Sequence, residues 1–382
     1  MDRFPSGDAK PARSFRSSCF TTARVAILSV TAAALLSGCA ADTDSNGNHW
    51  GADPASETGA DSNSGTTPMS TSSSVNPTEL VGADKAPGLG GVPTLKLTIN
   101  QSYPVSAPPL PAEKNVAAPF VQGLELEPDG SLLMGTGLYG ESQIYRLPQW
   151  LDNPAAEPTN VEDLHPDLFG EGITRHGDTV WQLTWQEGRA IERDAVTLKQ
   201  RREVPFDTEG WGACSFEDTI VTSDGSGTLT FRSPDDLSAQ HQLPITAADT
   251  ETTWLNELEC VTVDTDVDPD EAPADTSGTN NLSNTGEPKP PRPRREIWAN
   301  VWQSPFIYRI NPEDGKVTGL VDATELFRDL YAQLSPAEQK SIDVLNGIAL
   351  IPDSSSTSPN GPRQFLLTGK KWPTAYRVTV RE

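Results

Sequence analysis

From Leu95 onward the chain is a succession of short segments in which apolar and polar residues alternate, broken by Gly, Pro, Asn and Asp. A period of two residues is that of half-buried strands, so the pattern predicts an all-β domain. Leu95, Leu97 and Ile99 alternate in the first such segment, and Tyr376 to Val380 form the last. One stretch departs from the pattern. Ala323 to Ile342 carries Leu326, Leu330, Tyr331 and Leu334 at helical spacing, which predicts a surface helix.

The strand pattern repeats. Phe120-Val121-Gln122-Gly123-Leu124, Phe169-Gly170-Glu171-Gly172-Ile173, Asp207-Thr208-Glu209-Gly210-Trp211, Trp254-Leu255-Asn256-Glu257-Leu258 and Val344-Leu345-Asn346-Gly347-Ile348 align, with a polar residue in the third place of each. A second family of segments follows around Thr136, Thr184, Ser223, Asn300 and Gly369, then a third strand such as Gln143–Leu147 or Phe306–Ile310. The offset is 14 from Gln122 to Thr136, 13 from Glu171 to Thr184 and 14 from Glu209 to Ser223. From Asn256 to Asn300 it is 44, because an acidic stretch rich in Pro, Ser, Asn and Gly, about 264–293, is inserted in the hairpin. A smaller insertion, Asp353 to Pro362, interrupts the fifth copy. Five repeats of about four strands predict a five-bladed β-propeller over 94–382, with the leading strand completing the last blade and the helix between blades four and five.

Composition adds the setting. Arg3, Lys10, Arg13, Arg16 and Arg24 precede an apolar run, Val25 to Leu36, that ends in Leu36-Ser37-Gly38-Cys39. This reads as an export signal over 1–38 with a lipobox-like end, which makes Cys39 the expected lipidation site and a lipid anchor the only expected contact with the membrane. Residues 39–93, dominated by Ser, Thr, Gly, Asn, Asp and Pro, read as a disordered tether. With 53 acidic against 29 basic residues and a net charge of −24, nucleic acid is excluded as a partner. Cys214 and Cys260 fall at nearly equivalent points of adjacent repeats, which leaves both a disulfide and two free thiols open.

The repeated polar places, Gln122, Glu171, Glu209, Asn256 and Asn346, would converge at one channel mouth. They would hydrate the channel, hold a structural ion such as calcium, or form a site. Trp185, Trp211, Trp302 and Trp372 would pack between blades or wall a pocket. His165, His176 and His241 form no spaced pair, which leaves little for a zinc site or a Ser-His-Asp triad.

These segments, together with Thr136-Gly137-Leu138-Tyr139-Gly140, Leu183-Thr184-Trp185, Glu209-Gly210-Trp211-Gly212, Ser223-Asp224-Gly225, Ala299-Asn300-Val301-Trp302 and Thr368-Gly369-Lys370, resemble the glutaminyl cyclases (glutaminyl-peptide cyclotransferases) of bacteria and plants. That is a five-bladed propeller family. The resemblance implies cyclisation of an N-terminal glutamine to pyroglutamate with loss of ammonia, on peptide or protein substrates, by a monomer that needs no cofactor. It implies Glu171 as proton shuttle, with Lys370, Gln122 and Asn256 as further catalytic positions and Phe120, Trp185, Trp211 and Trp302 around the glutamine side chain. Two other readings stay open: a calcium-dependent lactonase-like hydrolase using Glu171, Asn256 and Asn346 as oxygen ligands, and a non-catalytic binding propeller.

Overall fold

A computed structural model describes residues 90–105, 107–108, 118–263, 293–352 and 361–382. The expected leader, Cys39, nearly all of the tether and the acidic insertion lie outside the described residues.

The strands are β1 (Thr94–Pro104), β2 (Val121–Leu126), β3 (Leu132–Thr136), β4 (Gln143–Leu147), β5 (Thr159–Asp163), β6 (Gly170–His176), β7 (Thr179–Thr184), β8 (Arg189–Asp194), β9 (Gln200–Pro205), β10 (Ala213–Ser215), β11 (Ile220–Thr222), β12 (Thr228–Arg232), β13 (Ala239–Pro244), the short hairpin β14 (Thr246–Ala247) and β15 (Thr250–Glu251), β16 (Leu255–Val263), β17 (Arg294–Val301), β18 (Phe306–Ile310) and β19 (Val317–Asp322). Helices α1 (Thr324–Gln333) and α2 (Pro336–Gln339) follow, then β20 (Leu345–Leu350), β21 (Arg363–Gly369) and β22 (Thr374–Arg381). Among the described residues β2–β5, β6–β9 and β10–β13 are four-stranded antiparallel meanders, while β16–β19 and β20–β22 belong to one eight-stranded sheet. β1 makes that join. It pairs antiparallel with β22 from Lys96 to Pro104, completing the last meander as expected, and its first two residues pair parallel with β19.

The first strands of the meanders pack side by side in the order β2, β6, β10, β16, β20 and back to β2. Their residues are mostly buried, whereas the outer strands β5, β9 and β13 are largely exposed. Apolar side chains fill the space between neighbouring sheets: Val221, Leu229 and Phe231 meet Leu258, Ile297 and Tyr308 in one cluster. Each such side chain, fully buried, contributes about 1.5–3 kcal/mol. Cys214 and Cys260 are bonded, linking β10 to β16 across one of these interfaces with Cα atoms 5.3 Å apart.

Three expectations need correction. The helical stretch is broken in two, because Pro336 keeps Ser335 extended and Ser335 starts α2 with a capping box to Glu338. Leu326, Phe327 and Leu330 bury the face of α1. The third repeat is also displaced by two residues. A Cβ on Gly170 would meet Thr136 O, and one on Gly210 would meet Thr184 O, so Gly210 corresponds to Gly170. Trp211, not Glu209, therefore occupies the inner place shared by Gln122, Glu171, Asn256 and Asn346. In the fourth copy Val301, one residue past the expected Asn300, pairs with Leu255 as Thr136 pairs with Val121.

The inner strands approach so closely that a side chain fits badly between them. A Cβ on Gly172 would lie 2.6 Å from Trp211 O and 2.8 Å from Ala213 N, and one on Gly123 would lie 2.6 Å from Ile173 N. These are backbone atoms and cannot step aside. Gly172→Ala is expected to lower stability by about 1–3 kcal/mol through overpacking. Urea denaturation followed by circular dichroism checks it, and an unchanged midpoint would contradict the close approach.

Candidate active site

One backbone hydrogen bond recurs at the same end of the inner strands. Gly137 N–H donates to Phe120 O, Trp185 N–H to Phe169 O, Trp302 N–H to Trp254 O and Lys370 N–H to Val344 O, all at 2.8–3.0 Å. It gathers two sets of residues at one rim. Phe120, Phe169, Glu209, Trp254 and Val344 precede or open the inner strands, and Gly137, Trp185, Asp224, Trp302 and Lys370 follow the second strands. Just inside, the pairing of first and second strands is irregular at Gln122, at Glu171-Gly172, at Asn256-Glu257 and at Asn346-Gly347. Such bulges re-aim side chains.

At the centre, Gln122 Nε2 donates to Glu171 Oε1 at 2.9 Å, and Asn346 Nδ2 donates to Gln122 Oε1 at 3.2 Å and to Val121 O at 3.0 Å. Asn346 thereby fixes which end of the Gln122 amide faces the carboxyl. Burial pushes the Glu171 carboxyl well above its ordinary range; nearby Lys370 opposes the shift, and Glu187 and Glu209 add to it. Lys370 is also buried, which lowers its ammonium from the usual lysine range against the pull of Glu171 and Asp343. Its Nζ lies 5.2 Å from the centroid of Phe120.

Aromatic rings wall this polar centre. Phe169 packs edge-on against Phe120 at 6.0 Å, Tyr139 at 5.3 Å and Trp185 at 5.7 Å. Trp211, Trp254 and Trp302 form a second cluster with centroids 5.0–6.2 Å apart. Glu209 joins the two: its Oε2 accepts from Trp185 Nε1 at 3.0 Å and from Trp211 Nε1 at 3.1 Å. Gln122, Glu171, Lys370, Phe120, Trp185, Trp211 and Trp302 are thus brought together as expected. Asn256 lies in the same inner register, but neither Oδ1 nor Nδ2 has a hydrogen-bond partner among the described residues. Trp372 is a core residue, buried against Phe327 and Tyr376.

Phe169, Tyr139 and Trp254 are site neighbours that the sequence left unassigned, although all three sit in the repeated segments, and Asn346, expected among the converging polar places, is the partner that holds Gln122. Glu257, next to Asn256, is a second buried carboxyl, and it accepts backbone N–H bonds from Leu124 at 3.0 Å and Ile348 at 3.1 Å. At the far ends of the inner strands, Glu125, Thr174, His176, Ser215 and Glu259 line a cavity of about 490 Å³. Its lining holds neither the lysine nor the aromatic cluster of the opposite rim.

Residues 110–267 and 286–380 match the profile of the family described as glutamine cyclotransferase. The chain belongs to this family. It is 28% identical over 266 residues to glutaminyl-peptide cyclotransferase of Arabidopsis thaliana, covering 69% of this chain and 68% of that one. Its fold superposes on the crystal structure of Myxococcus xanthus glutaminyl cyclase with a TM-score of 0.55 and 26% identity, over 76% of this chain and 98% of the other. The all-β arrangement of small sheets is therefore that of a glutaminyl cyclase.

Four carboxyls, Glu171 and Glu257 buried and Glu125 and Glu259 half-buried, give the fold an unusual pH dependence. Glu125 is raised to about 7, and Glu171, Glu257 and Glu259 are raised well above 4.5, each chiefly by burial. A raised carboxyl holds its proton more tightly folded than unfolded. Its contribution to stability is complete below the unfolded value and is lost as pH climbs through the folded one. Asp129, Asp194 and Asp236, held below their ordinary range, lose theirs only at acid pH. Urea midpoints are expected to be highest near about pH 5 and to fall toward pH 8; a midpoint that climbs over that interval contradicts the assignment.

Proposed function

We propose that this site cyclises the N-terminal glutamine of peptides and proteins to pyroglutamate, as an acyl-transferring cyclotransferase. The observation that carries the reading is the Gln122 amide donating to the buried Glu171 carboxyl beside Lys370, inside an aromatic wall. The substrate's α-nitrogen attacks its own γ-carboxamide carbon, a C–N bond forms, and the C–NH₂ bond breaks. Both reacting groups belong to one residue, so the protein's task is to hold that residue folded back, move a proton and stabilise the oxyanion. Glu171 takes the proton from the attacking amine and returns one to the departing ammonia. Its raised proton affinity suits both steps at neutral pH. Gln122, locked by Asn346, orients the Glu171 carboxyl. Lys370 supplies positive charge for the tetrahedral oxyanion. Phe120, Trp185, Trp211 and Trp302 enclose the glutamine side chain and exclude water, and the unpartnered Asn256 amide is available to the substrate.

The wider reading is a five-bladed propeller formed by the five meanders in cyclic order, acting as a monomer, exported and held outside the membrane through acyl chains on Cys39. The reaction needs no cofactor. The unpartnered oxygens of Asn256 and Asn346 suit a hard cation such as calcium as a structural ion in the channel. A hydrolase reading has less support, because its three ligands would bring a single carboxylate, already bonded to Gln122.

A glutamine-initiated peptide incubated with the protein is expected to lose about 17 Da, the mass of ammonia, by mass spectrometry, with or without a chelator. Glu171→Gln, which keeps the size of the side chain but not its basicity, is expected to fold and to lose roughly 10²-fold or more in kcat. Because Glu171 must be ionised to accept the proton, kcat/KM of the wild type is expected to rise with pH well above the ordinary carboxyl range. A wild-type rate equal to the spontaneous one refutes the reading.

A further inference from the structure

We propose that Trp254, packed on Trp302, forms a second subsite outside the glutamine pocket, where it holds the side chain of the residue that follows the N-terminal glutamine and favours aromatic ones. This rests on the cyclase reading of the site. The glutamine uses both its amine and its side chain in the reaction, so the substrate leaves the pocket only through its own carbonyl. The next residue must then lie on the rim.

Trp254 stands in the register of Phe120 and Phe169, as the shared backbone bond to its carbonyl shows. It differs from them in two ways. Its φ is +64°, a left-handed conformation that is uncommon and strained for a bulky side chain, and its side chain is turned outward to 44% exposure. The backbone is clamped on both sides, its N–H donating to Gly225 O at 2.9 Å and its carbonyl accepting from Trp302 N–H at 2.8 Å. The fold thus maintains an unfavourable conformation that displays a large apolar ring to solvent.

The ring extends the wall of the glutamine pocket. Trp211 is buried and lies 6.2 Å from Trp254 at 33°, and Trp302 is 5.0 Å away at 48°. An apolar track therefore runs from the Glu209-bonded Trp211 to the exposed face of Trp254. On the other side of the rim the exposed aromatic is Tyr139, whose hydroxyl donates to Glu187 Oε1 at 2.7 Å, so that edge is acidic. Trp254 is flanked by the indole rings of Trp211 and Trp302, and its backbone is bonded to Gly225 and Trp302, so its exposed face offers a flat apolar surface to a flat ring.

The test compares kcat/KM for Gln-Phe-amide and Gln-Ala-amide. The wild type is expected to favour the phenylalanine peptide roughly 3- to 10-fold, what one aromatic pair contributes. Trp254→Gly removes the ring and relaxes the backbone, since glycine adopts this φ without strain. In this variant the preference is expected to fall below about twofold, and Trp254→Phe is expected to retain part of it. A wild type without preference, or a glycine variant that keeps it, overturns the inference alone. A wild type that turns over neither peptide overturns the cyclase reading and this inference with it.

Discussion

The structure depends on how closely its inner strands approach one another. At Gly123 and Gly172 the neighbouring backbone stands where a Cβ would be, so adjacent meanders meet main chain to main chain. At Gly172 the atoms met are all backbone, Trp211 O, Gly212 Cα and Ala213 N. This crowding lets a glutamine on one sheet, a glutamate on the next and an asparagine on a third share hydrogen bonds. It also keeps water from the Glu171 carboxyl, which raises its proton affinity. Packing geometry and acid–base chemistry thus have one cause.

A second regularity distributes function around the rim. The same backbone hydrogen bond fixes two positions in each of four meanders, and the residues placed there differ freely: Phe120 with Gly137, Phe169 with Trp185, Trp254 with Trp302, Val344 with Lys370. The backbone sets where a side chain emerges and the sequence sets what it does. In the third sheet the corresponding rim place holds Glu209, and the result is a carboxylate that accepts two indole N–H groups and ties one aromatic cluster to the other. A charged residue in an aromatic register is tolerable here because its partners are donors already held in place.

Much of this was legible in the sequence, and the failures have physical causes. The third strands Gln143–Leu147 and Phe306–Ile310 were bounded correctly because turn residues flank them on both sides. The closing role of β1 followed from a missing strand in the last repeat. The third repeat slipped by two because Glu209-Gly210-Trp211-Gly212 contains two residue–glycine pairs, and a shift of two keeps every side chain on the same face. Only the identity of the neighbouring carbonyl separates the two alignments, and that is a contact between sheets. The break at Ser335 was written locally, in Pro336 and the capping box to Glu338, but the apolar spacing ran through it. The Cys214–Cys260 bond followed from spacing only as one of two options, since pairing depends on the distance between sheets. Trp254 was visible as an aromatic in the right register; its outward turn was not, because it arises from a backbone angle that tertiary clamps impose.

Two buried carboxyls at the same kind of strand irregularity meet different partners. Glu171 and Glu257 both lie at irregularities of the inner strands, and burial raises both. Glu257 accepts from two backbone N–H groups on two other inner strands, Leu124 and Ile348, so its oxygens are committed to holding the inner strands together. Glu171 accepts instead from a side-chain amide, faces a lysine across the rim and lies against the aromatic wall. A proton added to Glu257 would disturb bonds that join three inner strands. One added to Glu171 would be met by a glutamine whose orientation Asn346 alone secures. A buried carboxyl lies at each bulge, and the partners differ: main-chain donors at Glu257, a side-chain amide at Glu171, which under the proposed reading leaves the Glu171 proton free to move.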